Sequence, residues 1–205
     1  MNRCAIEVMG DIGDIILAYG QSDEYSFIIP KSSSLFSRRS SKISSTIVSL
    51  FASNYVMHWS EYFGDSKLQY APCFDSRIVC YPNDKILKDY LSWRQADCHI
   101  NNLYNTTFWA LVKSGLSETA AENRLMGTFA KDKNEILFTE FGINYNNIEP
   151  IYRKGSTIIR KMTEVTSISP NTGEEVKRIK LIPTAIYVDI IGEGFWQEHP
   201  ELLEE

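Results

Sequence analysis

The sequence predicts an α+β fold in which an antiparallel sheet packs against helices. Two apolar runs, Ile15 to Tyr19 and Tyr25 to Ile29, flank Gly20-Gln21-Ser22-Asp23-Glu24 and form a first hairpin pattern. A helix-period stripe follows in Ile43, Ile47, Leu50, Phe51 and Tyr55, and a second pair of strand-like segments lies beyond Gly155. Hairpins separated by helical stretches belong to α+β architectures.

The chain has 205 residues, 43% of them hydrophobic and 12% aromatic, enough to bury a core and to exclude disorder of the whole. A net charge of -5 argues against a surface that attracts nucleic acid everywhere, but the charge is segregated. No acid occurs between Tyr25 and Ser60, where Lys31, Arg38, Arg39 and Lys42 lie. A second basic cluster comprises Arg153, Lys154, Arg160, Lys161, Lys177, Arg178 and Lys180, while Glu193, Glu198, Glu201, Glu204 and Glu205 gather at the end. Cys4, Cys73, Cys80 and Cys98 lack C-x-x-C spacing, so reduced and mostly buried thiols are expected, with neither zinc nor disulfides. No apolar run reaches the roughly 18 residues of a membrane span, and no signal peptide opens the chain. A soluble protein of the cytoplasm, the nucleus or both is expected.

Met1 to Met9 reads as the latter part of an amphipathic helix that buries Ala5, Ile6, Val8 and Met9 and stops at Gly10. In the first hairpin Gly20 is expected to supply the freedom of the turn. An Asp23-Glu24 pair at such a tip can hold Mg²⁺, which takes oxygen ligands; the alternative is a solvated turn. The helix expected over Ser37 to His58 carries Arg39 and Lys42 on a second face near its start, where free N–H groups favour phosphate. Leu68 to Tyr81 reads as extended, with Asp75 at a kink as a turn residue rather than a metal ligand.

A helical region over Asp84 to Lys113 contains Cys98-His99-Ile100-Asn101-Asn102-Leu103-Tyr104-Asn105, rich in donors for a triphosphate or a base edge. Ser117 caps a short helix that stops at Gly127. Asp132-x-x-Glu135 reads as the capping box of the next, which ends at Gly142. Lys133 in that first turn opposes the helix dipole and calls for a compensating contact such as a bound anion. Thr157 to Arg160 and Val176 to Leu181 flank Pro170-Asn171-Thr172-Gly173 as a long basic hairpin, suited to a polyanion backbone.

Gly20-Gln21-Ser22-Asp23-Glu24-Tyr25-Ser26-Phe27, Phe36 to Lys42, Asp97 to Asn105, Lys131-Asp132-Lys133-Asn134-Glu135 and Phe141-Gly142-Ile143-Asn144-Tyr145-Asn146 together resemble the eukaryotic tRNA-histidine guanylyltransferase family. Asp189-Ile190-Ile191-Gly192 with Phe195-Trp196 is similar to the tails of these proteins, so the likeness runs in order over nearly the whole chain. The resemblance implies a polymerase-palm-like (ferredoxin-like) sheet packed with helices, extended by the C-terminal basic hairpin. It implies residues 1–80 as the palm-like catalytic domain, and 81–205 as a helical and β-hairpin region that binds tRNA and packs with it as one unit. The implied activity is addition of GMP to the 5′ end of histidine tRNA, with GTP and ATP as substrates, an adenylylated 5′ end as intermediate and two Mg²⁺ ions.

Carried over by position, Asp23 is the implied metal ligand, Ser22 and Asp23 contact GTP, and Glu24 supports them. Arg39, Lys42, His99, Lys133 and Asn144 are the implied triphosphate or 5′-end contacts, and Arg153 and Lys154 the implied tRNA contacts. A homotetramer is implied too. Family members open with a strand bearing Asp-Gly-Arg, whose Asp bridges both metals; no Asp-Gly-Arg occurs in these 205 residues, so the expectation is a missing first palm strand and weak or no activity of this form. Two other readings stand beside it. One is a nucleotide cyclase of the Gly-Gly-Asp-Glu-Phe type, disfavoured by Gln21-Ser22 and by the basic hairpin, and the other a non-catalytic subunit that binds tRNA or joins an oligomer.

Overall fold

In the computed structural model, residues 1–168 and 175–203 are described. They form two compact units, Met1–Asp84 with Ser156–Ile186 and His199–Glu205, and Lys85–Gly155 with Tyr187–Glu198. No described helix is long and apolar enough to cross a membrane.

The first unit is a four-stranded sheet packed with helices. Its strands are β1 (Leu17–Gln21), β2 (Glu24–Ile28), β3 (Ser156–Ile168) and β4 (Glu175–Ile186), in the order β2-β1-β3-β4. All three pairings are antiparallel. The basic hairpin, expected with the second segment of the chain, therefore continues the sheet of the first hairpin: Gly20 pairs with Ser156 and Leu17 with Ile159. The turn at Pro170 to Gly173 lies outside the described residues, as do Glu204 and Glu205.

Alternation along β1 and β3 sends Ala18 and Ile158 to one face of the sheet, into a core with helix α1 (Asn2–Asp11) and helix α2 (Ser40–Met57). Helix α1 contributes Cys4, Ala5, Val8 and Met9, and runs on past Gly10 to Asp11. Helix α2 contributes Ile43, Ile47 and Phe51 at spacings of four, with Leu50 and Tyr55 partly buried, as its stripe predicts. Arg160 fastens β3 to the end of α1, its guanidinium donating to the carbonyls of Met9, Ile12 and Gly13. Leu17, Tyr19, Thr157 and Ile159 are buried on the other sheet face.

The stretch after helix α3 (Trp59–Phe63) departs from expectation. Leu68 to Tyr81 joins no strand among the described residues, and is fastened by Phe74, 5.0 Å from the Phe51 ring centroid, and by the Ser44–Ser76 hydroxyl pair at 2.5 Å. Cys73 and Cys80 within it are exposed, and only Cys4 and Cys98 are buried. Asp75 meets Arg77 at 3.3 Å in solvent, and no turn forms around it.

The second unit is built on helix α4 (Asp84–Lys113), with α5 (Glu118–Leu125), α6 (Ala130–Phe141), α7 (Pro150–Lys154) and α8 (Glu193–Glu198). Ser117 caps α5, its hydroxyl accepting from the Ala120 N–H at 3.2 Å. Helix α6 starts three residues earlier than a capping box at Asp132 suggests. Asp132 is its third residue, and its carboxylate reaches back to the Phe129 N–H at 2.8 Å; Gly142 ends it at φ 64°. Gln95, 3% exposed on the core face of α4, donates to the Lys154 and Val188 carbonyls (2.8 and 2.9 Å) and accepts from the Ile190 N–H (2.8 Å). That one amide joins α4 to the end of α7 and to the tail, where the Trp196 indole N–H donates to the Ile190 carbonyl.

Candidate nucleotide and RNA site

In the first unit, β1 and β2 pair up to Gln21 and Glu24, which leaves Ser22 and Asp23 as a two-residue turn. Ser22 takes the left-handed conformation (φ 50°) that this turn needs. Gly20 is required for another reason. A Cβ there would lie 2.3 Å from two atoms of the Tyr25 ring, so glycine lets that ring cross β1. The ring packs between Phe27 and Phe51, each 5.9 Å away. Its hydroxyl donates to Asn2 Oδ1 of α1 (2.5 Å), and the Asn2 amide donates to Ser156 Oγ of β3 (2.9 Å). The residue next to Glu24 is thus tied to three other elements, and the tip stands on a rigid base.

Ser22, Asp23 and Glu24 are exposed, and Gln21 Nε2 steadies Glu24 at 3.1 Å. Among the described residues no set of three His, Cys, Asp or Glu side chains converges on one point. Two solvated carboxylates on a firm turn offer hard oxygen donors that fit Mg²⁺, provided phosphate and water oxygens complete the shell.

The basic stretch before α2 holds Phe36, Ser37 and Arg38 in succession at φ 50°, 56° and 56°. Left-handed backbone costs a non-glycine residue about 1–2 kcal/mol, so this turn survives only because neighbours fix it. Arg38 donates to the carbonyls of Pro30 and Ser33 (3.0 and 3.1 Å), Ser37 N–H donates to the Ser34 carbonyl (2.8 Å), and the Ser33 hydroxyl donates to Asp14. The helix starts at Ser40 rather than Ser37, with Arg39 as its N-cap residue. Arg39 Nε rests on the Phe36 carbonyl (3.1 Å) and Lys42 Nζ lies 4.6 Å over the Phe36 ring. Strain of this kind concentrates at ligand sites.

In the second unit, His99 and Asn102 share a face of α4 and meet Tyr145, which is 5% exposed in the short turn Tyr145–Asn147. Asn102 Nδ2 donates to the Tyr145 hydroxyl at 3.0 Å, and that hydroxyl lies 3.3 Å from the His99 carbonyl and 3.4 Å from His99 Nδ1. The side chain of Asn144 caps this turn through the Asn146 N–H (3.0 Å), and Arg153 Nε donates to the Ile148 carbonyl (2.7 Å). Burial, with the Arg153 charge, lowers the pKa of His99 below its ordinary value. His99, Asn144 and Arg153 are therefore brought to one locality of this unit, and Gln95 fixes the backbone of Lys154. Lys133 sits elsewhere on α6, donating to the Thr128 carbonyl at 2.8 Å with the Tyr104 ring at 5.9 Å. A carbonyl acceptor supplies the compensation that its position called for.

The family description "tRNAHis guanylyltransferase" matches residues 1–82, and "Thg1 C terminal domain" matches residues 85–192. The chain belongs to the tRNA(His) guanylyltransferase family. It is 53% identical to a probable tRNA(His) guanylyltransferase of Homo sapiens, covering 100% of this chain and 72% of that protein. It is 55% identical to one of Dictyostelium discoideum, covering 99% and 78%. The crystal structure of the Saccharomyces cerevisiae tRNA(His) guanylyltransferase superposes with a TM-score of 0.75 at 46% identity, covering 88% of this chain and 76% of that one. A bacterial tRNA(His) guanylyltransferase (Thg1)-like protein in complex with ATP shares the fold (TM-score 0.66, 21% identity, covering 95% and 73%).

Sequence reasoning passed over Tyr25 and Arg38 in the first unit, and Gln95 and Tyr145 in the second, as braces of the candidate residues beside them. Gln95 did carry a signal, a polar residue in step with Leu91 and Cys98 on the buried face of α4. Tyr25 and Tyr145 stood inside quoted motifs, but contacts with elements far along the chain give them their roles.

Proposed function

We propose that this chain is a tRNA(His) guanylyltransferase of 3′–5′ sense, which adds GMP to the 5′ end of histidine tRNA in the cytoplasm, the nucleus or both. The observation that carries the proposal is the exposed Asp23-Glu24 tip on a hairpin braced through Tyr25, in a chain more than half identical to named guanylyltransferases. The 5′-phosphate of the tRNA attacks the α-phosphorus of ATP and pyrophosphate leaves. The 3′-hydroxyl of GTP then attacks the adenylylated phosphorus and AMP leaves, after which pyrophosphate is removed from the new 5′ end.

Asp23 holds metal, Ser22 and Asp23 contact GTP, and Glu24 supports the tip. Mg²⁺, as two ions, supplies charge that neutralises the triphosphate and the developing oxyanion. Arg39 and Lys42 add fixed positive charge for triphosphate at the strained turn, where positioning and charge do most of the work of phosphoryl transfer. His99, Lys133 and Asn144 contact the triphosphate or the tRNA 5′ end, and Arg153 and Lys154 the tRNA. Met1–Asp84 with the β3–β4 hairpin serve as the catalytic palm, and Lys85–Gly155 with Tyr187–Glu198 as the RNA-binding region, within a homotetramer.

The test is ATP-dependent transfer of labelled GMP to 5′-monophosphorylated histidine tRNA, read beside Mg²⁺-dependent GTP binding. Binding provides a readout independent of turnover. Asp23→Ala should abolish both signals, and retention of Mg²⁺-dependent GTP binding would refute the role of the tip. Cyclic dinucleotide formation from GTP alone would favour the cyclase reading. Salt-dependent tRNA binding with no GTP binding would favour a non-catalytic subunit, a reading that the cations of the β3–β4 hairpin support. Lys161, Arg178 and Lys180 share one face of it without an acid, whereas Lys177 pairs with Glu164 at 2.8 Å on the other.

A further inference from the structure

We propose that Tyr145 is a positioning residue whose hydroxyl holds the His99 imidazole by Nδ1, so that Nε2 faces away from the core as a hydrogen-bond donor to a phosphate oxygen of the bound substrate. This rests on the reading of His99 as a triphosphate or 5′-end contact.

The phenolic oxygen has one proton to give and lone pairs to receive. Asn102 Nδ2 fills one lone pair at 3.0 Å, which leaves the Tyr145 proton and its second lone pair to face His99. Its two acceptors, the His99 carbonyl at 3.3 Å and Nδ1 at 3.4 Å, belong to the same residue, so the hydroxyl clamps backbone and ring together. Contacts of this length in an unliganded site tighten when substrate settles. With the Tyr145 proton directed at Nδ1, the neutral ring carries its own proton on Nε2. Among the described residues Nε2 of His99 has no hydrogen-bond partner.

The tyrosine ring gives the second hold. It meets the imidazole edge-to-face at 5.4 Å and 66°, and it is seated with Leu103 and Leu137 in a core cluster joined by Phe141, Ile143 and Ile148. Tyr145 follows Asn144, so one short turn carries a proposed substrate contact and the brace of another. The charged and titratable groups acting on His99 are Arg153 from α7 and Tyr145 itself. The Arg153 guanidinium is anchored on the Ile148 carbonyl, and its charge adds to burial in lowering the pKa of the ring.

The experiment compares wild type with Tyr145→Phe, which keeps the ring and its packing and deletes the hydroxyl, both the donor to His99 and the acceptor of the Asn102 amide. Titration of His99 by NMR should show its pKa rising by about half a unit, the size expected when a weak hydrogen bond to the neutral ring is lost. The rate of GMP transfer should fall about tenfold with little change in the KM for GTP. If Tyr145→Phe fails to fold, the ¹⁵N shifts of the His99 ring in wild type serve instead, and a neutral ring protonated at Nδ1 overturns the proposal. An unchanged His99 titration in the folded variant overturns the proposal whatever the turnover. A raised pKa with unchanged transfer supports the hold on the ring while overturning the role given to His99.

Discussion

Replacing Gly20 by alanine tests whether the hairpin tip owes its placement to the close passage of Tyr25. The new methyl group would sit 2.3 Å from two ring atoms, and contacts below 3.0 Å force something to move. The ring cannot swing freely, because Phe27 and Phe51 flank it and its hydroxyl is bonded to Asn2. Overpacking of this kind costs about 1–3 kcal/mol, and loss of the Asn2 hydrogen bond adds about 1 kcal/mol. The lower chain entropy of alanine returns about 0.5–1 kcal/mol. The net expectation is a loss of about 2 kcal/mol, read from the urea midpoint at constant slope. The partner variant is decisive. With Tyr25→Ala in the background the ring is gone, so Gly20→Ala should be neutral or mildly stabilising, giving a coupling energy near the whole single-site loss. If Gly20→Ala alone costs under about 0.5 kcal/mol, or if the two changes simply add, the close passage is not what glycine is there for.

Gln95→Leu should destabilise the second unit by about 3 kcal/mol or more, because it leaves the Lys154 and Val188 carbonyls and the Ile190 N–H without their partner. Faster hydrogen exchange around Ile190, with the sheet amides of the first unit unaffected, is the local check. Ser117→Ala should cost about 1 kcal/mol of stability through loss of its helix cap, and Ser117→Asp should restore it. His99 has a lowered pKa, so as pH falls through the ordinary value of about 6.5 the unfolded chain takes up a proton that the folded one resists. Its contribution to stability is complete above that value and is lost on acidification until its own lowered pKa is passed. His99→Gln should therefore flatten the stability profile between pH 7.5 and 5.5, and an unchanged slope would contradict the assignment.

Much of the fold was legible because it rests on local periodicity. The stripe from Ile43 to Tyr55 and the bounds of α4 follow from spacing, and the Ser117 cap and the Gly142 stop follow from residue chemistry within one turn. What escaped was decided at a distance. No pattern near Thr157 announces that β3 pairs with β1, some 140 residues earlier in the chain; strand partners are chosen by which apolar faces remain to be covered. Leu68 to Tyr81 carries β-branched and aromatic residues yet pairs with no described strand, and its proline and its Asp75-Ser76 kink make it a poor ladder partner.

The candidate site divides along the same line. Acids at a hairpin tip and cations at a helix start are visible as residue types in order, so Asp23, Glu24, Arg39 and Lys42 could be named from sequence. The supports could not, because each acts through a contact that sequence order does not encode. Gly20 was assigned to the turn, whereas Ser22 takes the positive φ and Gly20 makes room for a ring. Lys133 opposes the helix dipole and calls for a compensating contact such as a bound anion, but the Thr128 carbonyl already receives its ammonium group. A bound phosphate would have to compete with that carbonyl or share a lysine that has three protons to offer. Lys133→Met therefore separates the two roles. Loss of α6 stability with unchanged GTP and tRNA binding would mark a structural lysine, whereas weaker binding at unchanged stability would mark a substrate contact.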